Sequence, residues 1–163
     1  MQIRPDYFSG AILNVPWFAN HENSQLGYFK RMLLKTMSTL FRNRQISLPN
    51  KTPEYDEFLT YLINKDPYYT GPIQFHMVEY GLTLQDQMNA QLDRIPNVPI
   101  YIVVAENEWV VSNNRILEIS NMLKHPKNKT VTYKNAVHAL FYQDGFYQQV
   151  MGDLLDWLLE ISQ

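Results

Sequence analysis

The 163 residues suit one ordinary domain, and 45% apolar against 18% charged residues is a globular rather than a disordered composition. Fourteen basic against sixteen acidic side chains leave a net charge of −2, so no strong overall field draws the chain to nucleic acid or an anionic membrane. The absence of cysteine excludes disulfides and thiolate metal sites, and His21, His76, His125 and His138 have no zinc-type spacing.

No window approaches eighteen uninterrupted apolar residues, and no charged-then-apolar leader opens the chain. The expectation is a cytoplasmic protein without a transmembrane segment. Eleven tyrosines point to amphipathic surfaces or a lined pocket.

In chain order, residues 10–16 form a short apolar run through Ile12, Leu13 and Val15 that stops at Pro16, the pattern of a buried strand. Over 24–44 the period changes. Leu26, Phe29, Leu33, Met37, Leu40 and Phe41 recur at three- and four-residue steps, which predicts a helix with one apolar face. Lys30, Arg31, Lys35, Arg42 and Arg44 lie in the same stretch. They form a solvated helix face on the plain reading, and a membrane-surface or lipid-headgroup contact on the other.

Residues 47–53 are polar, carry two prolines and break the pattern. A shorter helix is expected from Pro53 and Glu54, with Phe58, Leu59, Leu62 and Ile63 inward. Residues 66–72 read as a rigid connector, because Pro67 and Pro72 restrict the residues before them. A second long helical pattern runs from Ile73 to Ile95 and is weakened at Gly81 by about 1 kcal/mol relative to alanine.

Residues 99–105 then give the clearest strand, β-branched and continuously apolar. A helix over 113–124, a strand over 129–134 and a last helix carrying Phe146, Val150, Leu154, Trp157, Leu158 and Ile161 follow. Short connections between them predict a right-handed parallel βαβ unit.

In open parallel sheets the functional groups collect at the carboxyl ends of the strands. The strand over 99–105 runs into Glu106, Asn107 and Glu108, and the strand over 129–134 into Asn135, Ala136, Val137 and His138. An acid after one strand and a histidine after its neighbour can meet there, and a carboxylate beside an imidazole fixes the tautomer a general base needs. Taken singly, His138 reads as a capping or buried hydrogen-bonded histidine and Glu108 as a solvated loop acid.

Residues 100–111 resemble the α/β-hydrolase segment in which a strand ends in Gly, two variable residues, Asp and an apolar pair. Residues 133–140 resemble the loop that delivers the catalytic histidine, and residues 153–158 the closing helix. Residues 9–16 are similar to the strand after the nucleophile's helix, and the helix ending at 95–99 looks like the end of a lid. The nearest group is that of monoacylglycerol lipases, lysophospholipases and serine aminopeptidases.

The resemblance implies an α/β fold: the C-terminal part of an α/β-hydrolase, about three parallel strands with flanking helices, plus an α-helical lid insertion. Residues 1–19 would hold the first strand, 20–96 the lid, and 97–163 the βαβα end of the core. It further implies catalytic His138 as base and Glu108 as charge-relay acid, esters such as monoacylglycerols or lysophospholipids as substrates, and no cofactor. Three positions depart from the pattern. No Gly-x-Ser-x-Gly elbow occurs, Glu108 stands for the usual aspartate, and Ala105 stands for glycine, so its turn has to avoid positive φ.

Ser9 falls at the wrong end of its strand to serve as nucleophile, and Ser112 is placed to cap the helix that begins at Asn113. The expectation is therefore the later part of a serine hydrolase, inactive alone. Its first strand would have an open edge for a complementary N-terminal half or a second copy. Two alternatives stand beside it. One is a non-catalytic module that binds an acyl chain or a partner through Tyr28, Phe29, Tyr61, Tyr68, Tyr69, Phe75 and Tyr80. The other is an unrelated small α/β protein, in which Glu108 and His138 would lie far apart.

Overall fold

The computed structural model describes residues 7–46, 65, 67 and 73–163. The helix expected from Pro53, Tyr61, Tyr68, Tyr69 and all of the 66–72 connector except Pro67 lie outside these residues. The chain forms two compact units, residues 25–87 and the remainder.

In the larger unit, β1 (Ala11–Asn14), β4 (Ile100–Ala105) and β5 (Lys129–Tyr133) form a parallel sheet in the order β1-β4-β5. The middle strand is apolar at every position and buried on both faces, as an unbroken apolar run rich in isoleucine and valine requires. Its neighbours are half-exposed. Ala11 and Val15 donate their N–H groups to Pro99 and Val103, so the peptide groups of Ile12 and Asn14 point to the outer side. No strand among the described residues pairs there.

Helix α3 (Asn113–Met122) connects β4 to β5 and buries Ile116 and Ile119. It starts where Ser112 accepts the Arg115 N–H at 3.2 Å, the cap expected of that serine. Helix α4 (Phe146–Ile161) closes the unit and buries Val150, Leu154 and Trp157. Gly145 opens it at φ 83, a conformation that side chains rarely tolerate. Trp157 meets the ring of Tyr101 edge-on at 5.4 Å and donates its indole N–H to the Lys127 carbonyl at 2.8 Å. Gly10 approaches β4 so closely that a Cβ there would sit 3.1 Å from the Pro99 oxygen.

In the smaller unit, the periodic stretch at 24–44 folds as a shorter helix, α1 (Tyr28–Leu40). It begins after an extended Gly27 and ends where Phe41 leaves helical geometry at φ −128. Helix α2 (Phe75–Asn89) is also shorter than its pattern. At its start, Ile73–Gln74 form a strand, β3, paired antiparallel with β2 (Gln45–Ile46), two-residue strands that no alternation announces. At its end the chain tightens into a 3-10 turn over Leu92–Arg94, and Ile95 is extended before Pro96, as a residue preceding proline prefers.

Trp157 is 1% exposed and joins α4 to β4. Trp157→Ala should lower the unfolding free energy by about 3–5 kcal/mol, read from the urea midpoint. A loss below about 1 kcal/mol would mean that α4 does not anchor the sheet.

Candidate functional site

Glu108 and His138 converge at the carboxyl ends of β4 and β5. The His138 Nδ1 atom lies 2.8 Å from Glu108 Oε2. The other carboxylate oxygen, Oε1, accepts the backbone N–H groups of Trp109, Val110 and Val111 at 2.9, 2.6 and 3.2 Å. The loop thus folds three successive donors around its own acid. Burial alone pushes the Glu108 carboxyl up, but the bond to His138 and the Val110 and Val111 N–H groups outweigh it. The result is a carboxyl held below its ordinary value.

Magnitudes agree with that sign. Desolvating a carboxylate costs several kcal/mol, whereas hydrogen bonds to a charged group contribute about 1.5–3 kcal/mol each. Four of them offset the burial. An ionised carboxylate only accepts, so His138 donates from Nδ1, and its Nε2 is left as the basic nitrogen. The imidazole is one-third exposed, while the Glu108 side chain is sealed. Among the described residues nothing pairs with Nε2.

Both loops are tied together below this pair. Glu106 and Asn107 donate their N–H groups to the Tyr133 and Ala136 carbonyls. Glu106 Oε2 accepts the Asn135 N–H at 2.8 Å. Asn135 takes φ 60, a turn geometry that asparagine tolerates better than most residues. Gln143 reaches back to accept from the Val137 N–H and donate to the Asn135 carbonyl, so the histidine loop is gripped on both sides.

A strap over 19–21 braces the acid loop. Asn20 bridges Val111, His21 donates to the Val110 carbonyl, and Ser112 donates to the Ala19 carbonyl. The strap leaves β1 through Val15, which is buried at φ 40, an outlier for a β-branched residue that costs about 1–3 kcal/mol. Ala105 is not among the positive-φ residues, so its turn accommodates alanine.

The serines stand where their positions suggested. Ser9 is exposed before β1, at the amino end of the sheet. Ser112 is buried, accepts from α3, and donates to Glu22 Oε1 at 2.5 Å, and that carboxylate takes the Asn114 amide as well. Glu22, Glu106 and Gln143 carry no motif. Glu106 is signalled only by its place at a strand's end, and Gln143 by nothing local.

A cavity of about 330 Å³ lined by Leu92, Ile95, Val98, Ile119 and Asn128 lies at the amino ends of β4 and β5 and does not include His138. Among the described residues no three histidine or acidic side chains converge as a metal site.

The family model for serine aminopeptidases, S33, matches residues 1–144. The monoacylglycerol lipase of Paleococcus ferrophilus superposes at a TM-score of 0.80 and 17% identity, covering 98% of this chain and 62% of that one. A soluble variant of the Saccharomyces cerevisiae monoglyceride lipase, in complex with a substrate analogue, superposes at 0.74 and 13% identity, covering 94% and 56%. The chain therefore spans less than two-thirds of either structure's length, and both likenesses establish the fold. No curated protein sequence matches.

Because the Glu108 carboxyl is held below its usual range, the stability it contributes is complete above the ordinary carboxylate pKa of 4.5. It is lost as pH falls through the lower folded value. Comparing urea midpoints from pH 7 downward, Glu108→Gln should remove part of the wild-type decline below pH 4.5. Parallel curves for the two proteins would show that the buried carboxyl carries no such linkage.

Proposed function

The chain belongs to the serine aminopeptidase S33 family, a lipase-like branch of the α/β-hydrolases, and from that premise we propose that it supplies the acid and base of an ester-hydrolysing site. The observation that carries this reading is the 2.8 Å bond from His138 to the buried Glu108, with Nε2 unpaired among the described residues.

The nucleophile comes from outside these 163 residues, which contain no Gly-x-Ser-x-Gly. A serine Oγ placed at His138 Nε2 loses its proton to that nitrogen as it attacks the ester carbonyl. The imidazolium then passes the proton to the leaving alkoxide, and the acyl group stays on the serine. Water enters, His138 takes its proton, and the acid is released with the serine restored. Glu108 stays ionised throughout, holding the Nδ1–H tautomer and stabilising the imidazolium.

Carboxylic esters of the monoacylglycerol or lysophospholipid kind are the proposed substrates. Residues 20–96 are the proposed lid, inserted between β1 and the βαβα end of the core over 97–163. The open edge of β1 is the proposed seat of the nucleophile-bearing segment, with self-association through that edge as the competing arrangement. The 163 residues alone are then inactive.

Two measurements test this. A fluorophosphonate probe should leave the 163-residue chain unlabelled. When the chain is expressed with its upstream coding region, ester hydrolysis should appear and fall at least about a thousandfold in His138→Gln. Labelling of a serine within these residues, or hydrolysis that survives His138→Gln, would contradict the proposal.

A further inference from the structure

The cavity of about 330 Å³ at the amino ends of β4 and β5 lies at the far end of the sheet from His138. Every residue lining it belongs to the larger unit. Three segments build it. The 3-10 turn over Leu92–Arg94 gives way to an extended Ile95 before Pro96. Helix α3 ends at Met122, and Leu123 leaves it in extended geometry. A tight turn then closes where Asn128 donates its N–H to the His125 carbonyl at 3.1 Å, with Pro126 in the position such a turn favours. The cavity has the size of a small-ligand pocket, near the lower end of the usual range of about 300–1,000 Å³.

Its lining divides by chemistry. Leu92, Ile95, Val98, Ile119 and Leu123 give it an apolar floor continuous with the core. Asp93, Lys124, His125 and Asn128 line it as well, and each has bonding capacity left over. Asn128 Oδ1 accepts the Ile100 N–H at 2.9 Å, which commits the oxygen and leaves the Nδ2 group to donate. His125 Nδ1 accepts the Lys127 N–H at 3.1 Å, so a neutral ring carries its proton on Nε2 and donates there. Among the described residues neither Lys124 nor Asp93 has a charged partner. Residues 119–143 contain four lysines and no acid, so nothing within that stretch neutralises Lys124. The donors thus come from one segment, 124–128, and the carboxylate from another, the 3-10 turn.

We propose that this cavity binds a free α-amino acid with an apolar side chain about the size of leucine. The side chain fills the floor, the carboxylate takes the Lys124 ammonium and the His125 and Asn128 donors, and the amino group meets Asp93. Charge-assisted hydrogen bonds at both ends fix the orientation, and burial of the side chain adds the apolar contribution. A plain carboxylic acid fits less well, because it offers Asp93 nothing but like charge. An alkyl amine fails in the opposite sense, with its cation beside Lys124 and the donors unanswered. The inference stands on this cavity alone and does not depend on the hydrolytic reading.

The test is a titration of the 163-residue chain with L-leucine, followed by the backbone amide shifts in nitrogen-15 NMR. Shifts over 92–98 and 122–128 should saturate with a dissociation constant below about 10 mM. Three probes then dissect the recognition. 4-Methylpentanoate, which lacks the amino group, and 3-methylbutylamine, which lacks the carboxylate, should each bind at least about threefold more weakly. Glycine, which keeps both charges and lacks the side chain, should bind at least about tenfold more weakly. Asp93→Asn should weaken leucine at least about threefold and leave 4-methylpentanoate no weaker, whereas Lys124→Gln should weaken both. Both side chains are exposed, so neither substitution disturbs the core. No saturation in that range, shifts outside these two segments, or equal binding of leucine and 4-methylpentanoate would overturn the proposal.

Discussion

A carboxylate sealed from water has to be satisfied by its surroundings, and the loop around Glu108 is shaped by that demand. Three consecutive N–H groups turn onto one oxygen and an imidazole takes the other. Such an arrangement leaves the loop few other conformations, because losing any donor leaves buried negative charge uncompensated. The strap over 19–21 and the ties from Glu106, Asn107 and Gln143 keep those donors in place. These ties converge on the two loops that carry the acid and its histidine.

The rest of the larger unit supplies the platform. The order β1-β4-β5 makes the most apolar strand the central one, and the two loops that leave β4 and β5 are adjacent for that reason. Burial of β4 on both faces, with Trp157 and α4 against it, holds the strand ends in register. Rigidity at that level sets where the Glu108 loop begins. Strain is tolerated at the same end, at Val15 and Asn135, where the chain turns sharply into the strap and the histidine loop.

Much of this is legible in the sequence alone, and the reasons are specific. Residues 99–105 are uniformly apolar because both sheet faces are covered, so their strand needed no tertiary information. The pairing of Glu108 with His138 followed from strand ends and loop position. The Ser112 cap followed from its place before a helical run. What escaped depends on contacts distant in sequence. Gln143 acts on the histidine loop through backbone groups, and the two-residue pairing of β2 with β3 is too short for any periodicity to reveal. The long pattern after Ile73 overran at both ends. Its first two residues are strand, and its tail is pulled out of the helix ahead of Pro96. On α1 the period marked a helix, while the direction of its apolar face is a property of packing that no period contains.

Glu108 fixes His138 with its proton on Nδ1 and leaves Nε2 free to accept, and the rest of the site follows from that. Nitrogen-15 NMR of the neutral imidazole reads this directly. A proton on Nδ1 with an unprotonated Nε2, lost to a mixture of tautomers in Glu108→Gln, is the predicted result. A proton on Nε2 in the native chain, or a spectrum indifferent to Glu108→Gln, would contradict it.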